Sequence, residues 1–307
     1  MKALIATEKP FAAEALTVIQ QVFEKAGIEV SLLEKYTNKE QLLEAVKDVQ
    51  AIIVRSDIID SEVFSAAKKL KIVVRAGAGY DNVDLNAATA HNVVVMNTPG
   101  QNSNAVAELT LGLIIYAVRN FYDGSSGTEL KGKKLGVHAF GNIGRIVARL
   151  AKNFGMEVYT YNTSTPNLLK RVEKEGVTLL SSVEELYETC QYISLHVPAT
   201  EETKNSINFN LLSKMPEKAI LINTARKEII NEEELIKLME ERPDFKYLTD
   251  ITPKNDAEMK EKFAKRYFST PKKMGAQTAE ANNNTGIAAA NQIVDFLLNG
   301  NTKFKVN

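Results

Sequence analysis

Leu135-Gly-Val-His-Ala139-Phe-Gly141-Asn142-Ile143-Gly144-Arg145 is the stretch on which the fold turns. An apolar run starting at Lys134 ends in a turn, and the turn opens a helix. This is the setting a dinucleotide fingerprint requires. In G-x-G-x-x-G the second glycine lets the backbone approach a pyrophosphate, and the third lets helix and strand pack closely. Gly141 and Gly144 fill those places, and Asn142 and Ile143 begin a helix whose first N–H groups suit an anion. The first place holds Ala139, which fits only if the backbone there avoids positive φ. On glycine spacing alone, an ordinary strand–helix turn is an equally good reading. The fingerprint also asks for an acidic residue about 20 positions on, for a ribose hydroxyl. The end of the next strand offers Asn162 instead. An amide still bonds a hydroxyl but does not repel a 2′-phosphate, so NAD is favoured only slightly and NADP stays open.

Outward from this motif, short apolar runs alternate with amphipathic ones. The strands read as Lys2–Ala6, Ile28–Leu33, Ala51–Val54, Ile72–Val74 and Val93–Met96, followed by a long helix over 102–120. After Asp123-Gly-Ser-Ser-Gly127 a second series begins, with strands at Lys134–Ala139, Glu157–Tyr161, Tyr192–His196, Ala219–Asn223, Phe245–Leu248 and Tyr267–Ser269. A last helix covers 280–299. Strands that alternate with helices predict an α/β fold of two doubly wound parallel sheets.

Composition narrows the function. The 307 residues carry 38 Lys and Arg against 38 Asp and Glu. That balance argues against a general nucleic-acid binder and against a basic membrane-surface protein. The longest apolar run, Leu109–Val118, has about half the roughly 20 residues of a membrane-spanning helix. Ala3–Ala6 is too short for the core of a signal peptide. The single cysteine, Cys190, cannot form an intrachain disulfide and fits a reducing compartment. The expectation is a soluble, cytoplasmic protein with no membrane partner. No metal site is assigned.

Two further strand ends carry possible anion ligands. Arg55-Ser56 is one, and Arg75-Ala-Gly77-Ala-Gly79-Tyr-Asp81-Asn-Val-Asp84 is the other. Two arginines at neighbouring strand ends make either an anion pocket or a pair of surface salt bridges. Asn223-Thr224-Ala225-Arg226 places a guanidinium at a third strand end, suited to a bidentate grip on a carboxylate.

Taken in order, these strings resemble the D-2-hydroxyacid dehydrogenase family over nearly the whole chain. The resemblance rests also on Asn97-Thr-Pro-Gly-Gln-Asn102 with Ala107-Glu-Leu109, Gly127-Thr-Glu-Leu130 and Leu195-His196-Val197-Pro198. It is strongest to the branch that oxidises 3-phospho-D-glycerate with NAD, in the short form without a C-terminal regulatory domain. It implies a flavodoxin-like substrate domain over 1–97 and 280–307, with a Rossmann-type NAD-binding domain over 98–279 inserted in it. It also implies a homodimer through the cofactor domain. Arg226 would bind substrate carboxylate and carbonyl. Arg55, Ser56, Arg75, Gly77 and Asn102 would take the substrate side, with the phosphate near Arg55 and Arg75. Gly141, Asn142, Ile143, Gly144, Asn162, His196, Val197, Pro198, Thr224, Ala225 and Asp250 would line the cofactor, Asp250 at the nicotinamide amide.

The chain departs from the family where the catalytic histidine stands, for that place holds Lys273. The glutamate that charges the histidine aligns with Asn255, so its carboxylate is absent. The two losses agree physically. A histidine base gains from a carboxylate that stabilises its charged form. A lysine starts near ~10.4 and must be lowered to act as a base, which a glutamate would oppose. Lys273 is therefore the candidate acid/base beside Arg226. His91, His138 and His196 are not candidates for the role. Two other readings stay open: a dehydrogenase for another D-2-hydroxy acid such as glycerate, and an NAD(H) sensor that has lost catalysis.

Overall fold

The computed structural model describes residues 1–163 and 167–307. The first elements are β1 (Lys2–Thr7), α1 (Ala13–Lys25), β2 (Glu29–Glu34), α2 (Lys39–Ala45), β3 (Ala51–Val54), α3 (Ser61–Ala66), β4 (Ile72–Arg75), α4 (Leu85–Ala90) and β5 (Val94–Asn97). Then come α5 (Ser103–Val118), β6 (Lys134–His138), α6 (Asn142–Asn153), β7 (Glu157–Tyr161), α7 (Leu168–Glu175), β8 (Thr178–Leu179), α8 (Val183–Thr189) and β9 (Tyr192–Leu195). The rest are α9 (Phe209–Leu212), β10 (Ile220–Asn223), α10 (Glu232–Glu241), β11 (Lys246–Thr249), α11 (Asp256–Phe263), β12 (Tyr267–Ser269) and α12 (Ala279–Asn299).

The chain forms two compact units, residues 1–102 with 278–307 and residues 103–277. The breaks fall at 102/103 and 277/278 because whole helices stay with the core they fill. Ala107, Leu111 and Ile114 of α5 pack in the second unit. Thr278 caps α12, accepting from the Ala281 N–H at 3.1 Å, and Ala289, Ala290 and Ile293 of that helix pack in the first.

In the first unit the sheet order is β2-β1-β3-β4-β5, all parallel. This is the flavodoxin-like order. Ala51-Ile-Ile-Val54 is buried throughout, as a central parallel strand covered on both faces must be. α1 and α12 cover one face, where Ile19 and Phe23 meet Ala289 and Ile293.

In the second unit the order is β12-β11-β10-β9-β6-β7-β8, again all parallel. From β6 the chain steps outward to β7 and β8, then returns to β9 on the other side of β6. That reversal is the switch point where open α/β sheets bind ligands, beyond the strand C-termini. β8 has only two residues and was not legible in the sequence, because it is too short to show a period. The long helix also ends earlier than its apolar pattern predicts. After Val118 the backbone turns left-handed at Asn120, Phe121 and Tyr122, with φ of 50°, 57° and 58°. Lys246 Nζ secures that turn by donating to Ala117 O and Asn120 Oδ1, both at 2.8 Å. Among the described residues, no helix is long and apolar enough to cross a membrane.

Candidate active site

The glycine loop follows β6 at the switch point of the second unit. Contrary to the sequence expectation, Ala139 has φ of +76°. The turn needs a left-handed residue at this place, and an alanine supplies it at a cost of about 1–2 kcal/mol. Two bonds hold the strained turn: Ala139 N–H donates to Tyr161 O at 2.9 Å, and Phe140 N–H donates to Asn162 Oδ1 at 2.9 Å. Asn162 Nδ2 in turn donates to Thr163 O at 2.5 Å. The amide that was expected to face a ribose thus also clasps the loop.

The two glycines differ in what surrounds them. A Cβ on Gly144 would lie 2.4 Å from Ala139 O and 2.9 Å from Val137 Cγ1, so only glycine allows α6 to sit this close to β6. A Cβ on Gly141 would meet no heavy atom within 4 Å. Gly141 and Asn142 are exposed, and Gly141 caps α6 without any side-chain cap. An open approach to an uncapped helix N-terminus fits a dinucleotide pyrophosphate.

At the ends of β6 and β9 lie two histidines. His138 Nδ1 shares a hydrogen bond of 3.2 Å with the Tyr187 hydroxyl, and His196 Nε2 one of 2.8 Å with Ser194 Oγ. His196 Nδ1 is buried and has no partner among the described residues. Burial holds His138 down at about 4, well below its ordinary 6.5. His196 is held at about 3 by burial first and by the neighbouring His138 second. A base whose pKa is depressed by folding takes up its proton more readily when unfolded. Stability is therefore whole above pH 6.5 and falls as pH drops from about 6.5 towards 4. His138 alone is expected to cost on the order of 2 kcal/mol at pH 5. Urea titrations at pH 7 and pH 5 should show it, and His138→Gln should remove its own share of the difference and leave the share due to His196. Depressed carboxylates such as Asp244 and Asp256 lose their stabilisation only as pH falls below about 5, and so do not confound the comparison of pH 7 with pH 5.

The ends of β10 and β11 carry the remaining residues of this unit. Asn223 shapes the first turn: its Oδ1 accepts from Ala225 N–H and its Nδ2 donates to Arg226 O, both at 2.9 Å. Arg226 Nη1 donates to Ala225 O at 2.9 Å. Thr224 Oγ1 lies 3.2 Å from Thr110 Oγ1 of α5, a partner the sequence did not suggest. Asp250 follows β11 and is 1% exposed. Its carboxylate accepts from Thr270 and from the backbone of the turn that carries the exposed Lys273. Asn255 lies at the start of α11 and makes no side-chain cap; Glu232 accepts the Lys254 and Asn255 N–H groups instead, both at 3.1 Å. Asp256 is committed to Tyr267 Oη and Ser269 Oγ.

The first unit holds the other group, again at strand C-termini. Arg55 follows β3 and spends its guanidinium on the protein: Nη1 donates to Lys9 O and Pro10 O, and Nη2 to Asn282 Oδ1 at 2.6 Å. Arg75 Nε donates to Arg55 O at 2.9 Å. The Arg75 guanidinium lies against Gly77, where an added Cβ would fall 1.5 Å from Nη1 and where φ is +151°. The arginine tip could swing aside from a side chain at 77, so it is the positive φ that favours glycine there. Ser56 is exposed. Asn102 Oδ1 is buried without a partner among the described residues, as is Thr98 Oγ1 in the same turn. Asn282 and the buried Asp57, which accepts from Glu8 N–H, Arg55 N–H and Tyr36 Oη, were missed in the sequence. Both act across long separations that no local pattern records. His91 is exposed. Among the described residues, no group of three or more His, Cys, Asp or Glu could hold a metal ion.

Residues 116–271 match the sequence model of the D-isomer specific 2-hydroxyacid dehydrogenase, NAD binding domain. The D-3-phosphoglycerate dehydrogenase of Methanocaldococcus jannaschii is 34% identical over 306 residues, covering 94% of this chain. The chain spans only 56% of that relative's length. The hydroxypyruvate reductase of Thermotoga maritima is 32% identical, covering 86% of this chain and 90% of its own. A solved structure of NAD+-bound 3-phosphoglycerate dehydrogenase from Entamoeba histolytica is 47% identical, with a TM-score of 0.89, covering 100% of this chain and 98% of that one.

Proposed function

The chain belongs to the D-isomer-specific 2-hydroxyacid dehydrogenase family, and on that premise we propose that it oxidises 3-phospho-D-glycerate to 3-phosphohydroxypyruvate, the entry step to serine synthesis. The likeness to the NAD+-bound Entamoeba enzyme, which extends over both units, carries this reading. The open Gly141 approach and the uncapped start of α6 support NAD as the cofactor. When bound, NAD supplies the hydride acceptor. Gly141, Asn142, Ile143 and Gly144 would hold its pyrophosphate, Asn162 its ribose, and His196, Val197, Pro198, Thr224, Ala225 and Asp250 the rest.

Arg226 would grip the substrate carboxylate in bidentate fashion and orient the reacting carbon. Lys273 Nζ, once deprotonated, would accept the hydroxyl proton during oxidation and return it during reduction. Arg75 and Arg55, with Ser56, Gly77 and Asn102, would serve the substrate's phosphate and hydroxyl side. In this reading residues 1–97 with 280–307 are the substrate-binding part and 98–279 the NAD-binding part. The protein works in the cytoplasm, as a homodimer joined through its NAD-binding part.

One observation favours a second reading. The Nη groups of Arg55 are spent on Lys9, Pro10 and Asn282, which leaves fewer N–H donors for a phosphate. An unphosphorylated acid such as glycerate would need less. A spectrophotometric assay with NADH decides between them. Turnover of 3-phosphohydroxypyruvate far above that of hydroxypyruvate and pyruvate is the expected result. The reverse order installs the second reading, and tight NADH binding without turnover of any 2-oxo acid removes both.

A further inference from the structure

Lys273 sits on an exposed turn. Pro271, Lys272, Lys273 and Met274 are all exposed, and only Thr270 and Gly275, on either side, are buried. What fixes the turn is Asp250, at the end of the neighbouring strand β11. Its Oδ1 accepts from Thr270 Oγ1 at 2.8 Å and from Met274 N–H at 2.7 Å. Its Oδ2 accepts from Gly275 N–H at 2.7 Å. Gly275 fits closely: a Cβ there would lie 3.0 Å from Asp250 Oδ2 and 3.3 Å from Val106 Cγ2. The next carboxylate along the chain, Asp256, is turned onto Tyr267 and Ser269 and secures β12 rather than the turn.

We infer that Asp250, beyond any contact with the cofactor, is a positioning residue that staples the Lys273 turn. This rests on the reading of Lys273 as the acid/base. Charge-assisted bonds to a buried carboxylate hold a turn whose middle residues are exposed. The arrangement demands a carboxylate in particular. Each oxygen faces a backbone N–H, so an amide in either orientation sets its NH2 against a donor.

Hydrogen exchange at the Met274 and Gly275 amides tests the staple without recourse to activity, and steady-state kinetics test its consequence. In Asp250→Asn, exchange at both amides is expected to speed up about tenfold or more. Thr270→Val removes one bond and leaves the carboxylate, and so any cofactor contact, in place. It is expected to lower kcat about threefold to tenfold with KM for NADH unchanged. Unchanged exchange in Asp250→Asn overturns the staple, and so does an unchanged kcat in Thr270→Val. Full turnover in Lys273→Ala, measured beside these, removes the acid/base reading instead and leaves the exchange result to stand by itself. Should Asp250→Asn fail to fold, Thr270→Val carries both readouts.

Discussion

Lys273→Ala is expected to lower kcat for 3-phosphohydroxypyruvate reduction by about 10²–10⁴-fold, the usual contribution of a positioned proton donor. The KM for NADH should hardly move, because the side chain is assigned to the substrate proton and not to the cofactor. Among the residues of this chain, a histidine cannot take its place. His138 is buried and His196 half-buried, and both are held neutral, one bonded to Tyr187 and the other to Ser194. His91 lies between the end of α4 and the start of β5, at the sheet edge opposite the strand C-termini that carry Arg55 and Arg75, and its Nδ1 lies 2.9 Å from Ala87 O. Lys273→His should retain more activity than alanine and move the pH profile downward, since imidazole titrates some four units below an amine. Wild-type turnover in the alanine variant would show that another group, or water, carries the proton.

Gly144→Ala and Gly141→Ala should part ways. At Gly144 the new Cβ meets a backbone oxygen at 2.4 Å, and a backbone oxygen cannot swing aside as a side chain can. Ala139, which owns that oxygen, already sits at φ of +76° and has little room to adjust. The variant should lose about 1–3 kcal/mol of stability and its NADH binding together. At Gly141 the φ of −80° suits alanine and the Cβ enters open space, so the melting temperature should hold. That space is where a pyrophosphate must approach, so NADH affinity should fall at least tenfold, about 1.4 kcal/mol. Calorimetry and NADH titration on both variants check the pair. Equal NADH affinity in Gly141→Ala and the parent chain would place the cofactor elsewhere.

Both sheets were legible in the sequence because parallel strands buried on two faces read as short apolar runs. Ala51-Ile-Ile-Val54 and Tyr192-Ile-Ser-Leu195 are buried at every position. Between such runs a helical period marks each crossover. β8, with two residues, is below the length at which any period can appear. The long helix overran its true end at Val118 because the apolar pattern continues into Phe121, while the left-handed turn is held by Lys246 from another strand.

The order of local patterns was enough to settle the class of fold, the place of the glycine loop and the residues that mark the family, since each is written in spacing along the chain. Folding alone decided which donors are already spent. Arg55 is tied to Asn282, Asp250 to the 274–275 backbone and Asn162 to Phe140, each across a separation that no period encodes. Backbone conformation at Ala139 was decided the same way. An alanine by itself avoids positive φ, and it adopts one here because bonds from Tyr161 and Asn162 on the neighbouring strand outweigh the local penalty.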